Sequence, residues 1–150
     1  MREVIGVYQD TITVFNFHAD SNLWYPSVVD GTDLIEHDGT ASTHHGKEST
    51  DNAEIIIHCG ADRSVITSSG VKAYVSPKKY GSCEHPESKI TFKPECDFIY
   101  AGAWPDLEPI DDDEYENGLY HAMNDEHDGI YMIQSVTHFK LLPHFEIGGK

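Results

Sequence analysis

The sequence predicts a mainly β protein, a small β-barrel or sandwich with one added α-helix near residues 112–128 and a long loop near residues 30–52. Three observations support this prediction. Short stretches rich in β-branched and aromatic residues recur along the chain, one stretch has helical periodicity, and one long stretch is polar throughout. With 150 residues and no linker-like change of composition, we expect a single domain spanning 1–150.

The candidate strands are short and spread over the whole chain. They are 11–17, 23–29, 53–59, 64–67, 71–75, 89–92, 97–101, 130–136 and 144–147. Pro26 places the second of them at a sheet edge or interrupts it, because proline cannot donate to a ladder. Ser68-Ser69-Gly70 is typical of a hairpin turn between the fourth and the fifth.

Residues 106–128, the acidic segment, carry ten Asp and Glu residues and no Lys or Arg. Three apolar residues within it recur every four positions and predict one buried helical stripe: Tyr115, Leu119 and Met123. Asp111, Asp112 and Asp113 are expected to cap the start of this helix, since carboxylates favour the positive end of its dipole. These three residues are also a candidate partner-facing surface.

The formal net charge of −16 disfavours several classes of partner. Duplex binding depends on Lys and Arg that neutralise phosphates, and acidic membranes repel an acidic surface. No apolar run reaches the roughly 18 residues of a membrane span. Three widely spaced cysteines indicate free thiols in a reducing compartment.

The histidines and aromatic residues provide the remaining candidates. His44 and His45 are adjacent in the polar loop, but none of the ten histidines has the spacing of a zinc site, so we expect no metal and no cofactor. No nucleophile or phosphate-loop motif occurs, so we expect no enzyme. A metal-dependent hydrolase or metal sensor that uses the histidines is the alternative of another class. Large aromatic residues are expected in the core or at an interface: Trp24, Tyr25, Trp104 and Phe145.

A series of segments carries a resemblance that covers nearly the whole chain. They are 12–16, 24–26, 48–53, 90–92, 97–98, 101–105, 133–136 and 143–150. In these segments and in their order the chain resembles an uncharacterised family of tailed-phage and prophage proteins from Gram-positive bacteria. No activity is attached to that family.

The chain is also similar, more distantly, to the head–tail connectors called head-closure or stopper proteins, which are small β-barrels with a long loop and an added helix. Tyr131, Ile133 and Val136 match a strand near their carboxyl end. This resemblance implies a non-enzymatic virion protein of the phage neck, assembled in the host cytoplasm. It would form a homo-oligomeric ring that contacts the portal or adaptor on one face and tail proteins on the other, while DNA passes nearby without specific binding. His44, His45 and the Asp triplet would then face partners or the lumen. A tail-completion or tail-terminator ring and a minor capsid or decoration protein are the alternatives.

Overall fold

The computed structural model describes residues 9–37 and 52–150. In these ranges it has ten strands and two α-helices, with 3-10 turns at Pro86–Ser88 and Asp112–Glu114. The elements in chain order are β1 (Asp10–His18), β2 (Leu23–Glu36), β3 (Ala53–His58), β4 (Ser64–Thr67), β5 (Gly70–Tyr74), α1 (Pro77–Tyr80), β6 (Lys89–Ile90), β7 (Phe98–Tyr100), β8 (Ile110–Asp111), α2 (Leu119–Glu126), β9 (Ile130–Phe139) and β10 (His144–Gly149).

Six antiparallel strands close into a barrel in the order β1-β7-β9-β10-β3-β2, and β2 pairs again with β1. The 14 residues of β2 make this closure possible. Its first half pairs with β1, from Leu23 opposite His18 to Val29 opposite Ile12, and its last four residues pair with β3. The predicted mainly β fold, a small barrel with an added helix, is confirmed.

A second sheet, β4-β5-β6, packs against the barrel. The Ser68 amide in the β4–β5 turn donates to the Val28 carbonyl of β2 at 2.9 Å. Val65 and Ile90 of this sheet are fully buried in the same cluster as the barrel interior. The predicted hairpin around Gly70 is therefore present, and it helps to fill the barrel core.

The core has an inner and an outer cluster, because side chains alternate between the two faces of each barrel strand. The inner cluster consists of Ile12, Val14, Val29, Ala53, Ile55, Ile57, Val65, Ile90, Phe92, Ile99, Ile133, Phe145 and Ile147. The outer cluster consists of Phe15, Trp24, Phe98, Leu119, Met123 and Ile130. Phe15 stacks on its cross-strand partner Phe98 with ring centroids 4.7 Å apart, and α2 covers this pair.

The predicted loop at 30–52 is wrong in its first part, since β2 continues through Glu36. Residues Asp33 and Glu36 pair with Ile56 and Ala53 of β3, so backbone pairing builds a strand from a polar sequence. β2 bends where it passes from β1 to β3, next to Gly31 at φ +70°. The Asp10 carboxylate accepts a hydrogen bond from the Leu34 amide at 2.9 Å and supports this bend. Residues 38–51 lie outside the described residues.

The predicted helix near 112–128 is shorter than expected and begins at Leu119. Asp112–Glu114 form a 3-10 turn instead, and Gly118, at φ +88°, separates that turn from α2. Leu119 and Met123 are buried as the stripe predicts, but Tyr115 lies before the helix and is 37% exposed. Pro26 lies within β2 opposite Phe15 and does not interrupt the strand. The pairings of β2 with β3 and β8 do not include Pro26, so the proline occupies a position like that at a sheet edge.

A substitution at Gly149 tests how tightly β10 packs against β9 where the barrel closes. A Cβ there would lie 2.9 Å from the Tyr131 Cβ and 3.5 Å from the Met132 carbonyl oxygen. We expect Gly149→Ala to lower the free energy of unfolding by about 1–3 kcal/mol through overpacking. Urea unfolding followed by circular dichroism measures the change.

Gly81→Ala is the matched control, because Gly81 has an ordinary φ of −61° and its nearest neighbour would be the Ala19 Cβ at 3.6 Å. Equal urea midpoints for the two variants would contradict tight closure at Gly149.

Candidate functional site

Two carboxylates of the Asp triplet, those of Asp111 and Asp112, support α2 and the 3-10 turn. Asp112 Oδ1 accepts hydrogen bonds from the Trp24 indole Nε1 and from the Leu119 amide, both at 2.8 Å. Asp111 Oδ1 accepts from the Asp113 amide at 3.0 Å, which caps the short 3-10 turn. The predicted capping of a helix at 112 is therefore wrong in its geometry, because Asp112 reaches the first turn of α2 from seven residues upstream.

Asp113 differs from its two neighbours. Its side chain is exposed, like those of Glu114 and Glu116 beside it. Of the triplet, Asp113 is thus the residue whose carboxylate is best placed to meet a partner, whereas the carboxylates of Asp111 and Asp112 have structural contacts.

The candidate aromatic residues divide between the two clusters. Trp24 is 5% exposed in the outer cluster, and Phe145 is 1% exposed in the inner one. Trp104 is half-buried, with its ring centroid 5.8 Å from that of Phe15. Its amide donates to Thr13 Oγ1 at 2.9 Å, which fixes the loop after β7 on the barrel. Tyr25 is also half-buried, with its ring edge-on to His18 at 6.1 Å.

The predicted histidine candidates His44 and His45 lie outside the described residues. In 9–37 and 52–150, no group of three or more His, Cys, Asp or Glu residues is arranged to hold a metal ion. None of the helices in these ranges is long and apolar enough to cross a membrane.

Asp97 and Asn16 form a buried polar pair that sequence reasoning missed. Asp97 is 1% exposed and accepts from the Phe17 amide at 3.1 Å, from Asn16 Nδ2 at 2.9 Å and from the Lys93 amide at 3.0 Å. Burial raises the pKa of Asp97 to about 6, although these hydrogen bonds favour the carboxylate. The pair ties β1 to the segment before β7, 81 residues away.

Lys72 is a second buried charge, 6% exposed, whose Nζ donates to Ser27 Oγ at 2.7 Å. Burial lowers the pKa of the Lys72 ammonium, and the Glu87 carboxylate opposes that shift. A serine activated by a lysine can be a nucleophile. Ser27, however, is 1% exposed and lies inside β2 opposite Val14, so a substrate cannot reach its oxygen. The arrangement supports packing of β5 on β2.

Cys59, just after β3, lies beside a histidine of another strand. Its Sγ is 3.8 Å from His138 Nε2 of β9. Burial raises the pKa of the Cys59 thiol, which keeps the unreactive protonated form at neutral pH. This contact therefore does not favour nucleophilic chemistry at the Cys59 thiol.

Variants of Asp112 test whether one carboxylate oxygen holds α2. Asp112→Asn keeps an oxygen that can accept from both Trp24 and Leu119, so we expect nearly wild-type stability. The triple change of Asp111, Asp112 and Asp113 to Asn is likewise expected to keep the fold. Asp112→Ala leaves both donors without their acceptor and should cost about 1–3 kcal/mol.

Asp113→Ala is the control for Asp112→Ala, and urea unfolding compares their free energies. Equal stabilities of the two alanine variants would contradict the structural role of Asp112.

The Asp97 carboxyl predicts how the free energy of unfolding changes with pH. Its folded pKa of about 6 lies above an unfolded value near 3.9, so its contribution to stability is present below pH 4 and is lost as pH rises through 6. Asp97→Asn cannot ionise. Relative to this variant, the wild type should lose up to about 3 kcal/mol between pH 4 and 7. Urea unfolding at each pH measures the difference. Glu108→Gln, a change at an exposed position that keeps the Asp97 carboxyl, should follow the wild-type curve. A wild-type curve parallel to that of Asp97→Asn would show that the carboxyl titrates normally.

No curated protein and no solved structure matches this chain. A family model described as a family of unknown function, DUF6751, matches residues 7–150. Because that match covers nearly the entire sequence, the chain belongs to the DUF6751 family.

Proposed function

We propose that this protein is a structural component of the bacteriophage neck, a head-closure or head–tail connector subunit that works as a homo-oligomeric ring between portal and tail. The observation that supports this proposal best is the architecture. The closed six-stranded barrel and the helix α2 packed outside it are two parts of the arrangement that the resemblance to head-closure proteins implies.

The work of such a subunit is assembly rather than chemistry. One face of the ring meets the portal or adaptor, the other receives tail proteins, and DNA passes through the lumen into or out of the virion. A chain with a net charge of −16 repels phosphates, so it lets DNA slide where Lys or Arg would retain it. The buried position of Ser27 and the raised pKa of the Cys59 thiol fit a role without catalysis.

The proposal is tested first in the genome and then in the particle. We expect portal, terminase or major capsid genes upstream of this gene and tail genes downstream. Mass spectrometry of purified DNA-filled particles should detect the protein, and electron cryo-microscopy should place it as a ring at the portal vertex. Particles made without the gene should be heads that lack tails.

Complementation supplies the matched control. Asp112→Asn should restore tailed particles, because it keeps the acceptor oxygen on which α2 depends. A ring that caps isolated tails and is missing from tailless heads would identify a tail-terminator protein instead. A metabolic gene neighbourhood, or absence of the protein from particles, would refute the neck assignment.

A further inference from the structure

The turn between β9 and β10 exposes more apolar surface than any other described turn of the barrel. Leu141 is 85% exposed and Leu142 81%, and Phe139 beside them is 39% exposed. We call residues 139–143 the leucine tip. Two adjacent leucines in water are unfavourable for an isolated subunit, and such apolar surface is typical of a contact site.

The backbone of the leucine tip adds a second observation. Leu142 has φ +50°, in the left-handed region that glycine and asparagine adopt most readily. The other described non-glycine residues with positive φ are polar: Asn22, Arg63 and Glu95. Leucine is therefore poorly suited to the backbone conformation of this turn. A contact of its side chain outside the subunit better explains why leucine is found at position 142.

The leucine tip itself carries a positive charge, unlike the chain as a whole. Its one charged residue is Lys140, which together with Arg63 acts electrostatically on His138. The carboxylates of Glu146 and Asp62 lie outside the tip and are bonded to His144 at 3.0 Å and to Ser64 at 2.7 Å. The acidic segment, with ten carboxylates and no Lys or Arg, is the complementary surface on the same chain.

Both surfaces are exposed within one subunit. Leu141 and Leu142 at the tip are 85% and 81% exposed, and residues 113–116 of the acidic segment are exposed as well. Neither surface is therefore covered by its own chain, and the tip of one subunit can reach the acidic segment of another copy.

We propose that the leucine tip of one subunit docks on the acidic segment of a second copy of this chain, in a head-to-tail contact. Tyr115, 37% exposed between Glu114 and Glu116, offers the leucines an apolar surface, and the neighbouring carboxylates face Lys140. Two different complementary surfaces on each copy build a ring or an open chain rather than a closed pair. The inference deepens the proposed neck ring and takes its biological setting from that proposal.

Sedimentation velocity of the full chain is the first measurement. We expect the weight-average mass to rise with concentration up to about 1 mM, as a weak contact requires. The rise should shrink in high salt, because exposed charges are screened. Wild-type protein that stays monomeric over this range would overturn the proposal.

Two variants then separate the two surfaces. The tip variant combines Leu141→Ser with Leu142→Asn, a residue that suits the positive φ. The acid variant combines Asp113→Lys, Glu114→Lys and Glu116→Lys, and spares Asp111 and Asp112. Each variant alone should associate at least about tenfold more weakly than the wild type. The control combines Ile66→Ser and Val71→Ser, which removes a different exposed apolar pair, 75% and 65% exposed, and should leave association unchanged.

Mixing the two defective variants is the decisive experiment. In a head-to-tail contact, each variant keeps the surface that the other lacks, so the mixture should form dimers that stop at two subunits. A mixture that stays monomeric, or a control variant that abolishes association, would overturn the proposal. A protein that dimerises in the mixture but is absent from phage particles would refute only the neck assignment, and the reverse result would refute only this contact.

Discussion

Closure of the barrel depends on β2, because it is the strand that pairs with both β1 and β3. Its 14 residues must bend midway, where Gly31 takes a positive φ and the Asp10 carboxylate bonds to the Leu34 amide. Without this bend the inner residues of β1 and β3 could not face one another across a single core. The sheet would keep open edges, which exposed backbone groups make prone to unwanted pairing.

In the closed barrel of six strands, side chains on both faces of β1 are buried. Ile12 and Val14 fill the interior, while Thr13 and Phe15 on the other face are also fully buried. Helix α2 and the loop around Trp104 provide that outer cover, and they are held by single oxygens of Asp112 and Thr13. The outer layer thus combines its apolar cluster with a few directional hydrogen bonds, whereas the interior depends on continuous apolar packing.

The strands with β-branched sequences could be predicted because their local pattern and their tertiary environment agree. Residues 53–59 and 130–136 are examples. The second half of β2 could not be predicted, since its polar sequence has no strand pattern and only pairing with β3 makes it a strand. The start of α2 was missed for a related reason. The carboxylate that supports it is also bonded to Trp24, 88 residues away, and a contact of that range leaves no local signal. Asp97 gave a weak signal, a charge at the start of an apolar strand, but its partner Asn16 could not be identified from sequence.

The two tryptophans of the chain share one environment. Trp24 lies in the outer cluster and Trp104 packs against it, so both indoles border the layer that contains α2, outside the barrel interior. Intrinsic fluorescence of this protein therefore observes the outer layer, whereas far-ultraviolet circular dichroism is dominated by the strands. The two signals together distinguish release of α2 from a barrel that stays closed from unfolding of the barrel itself.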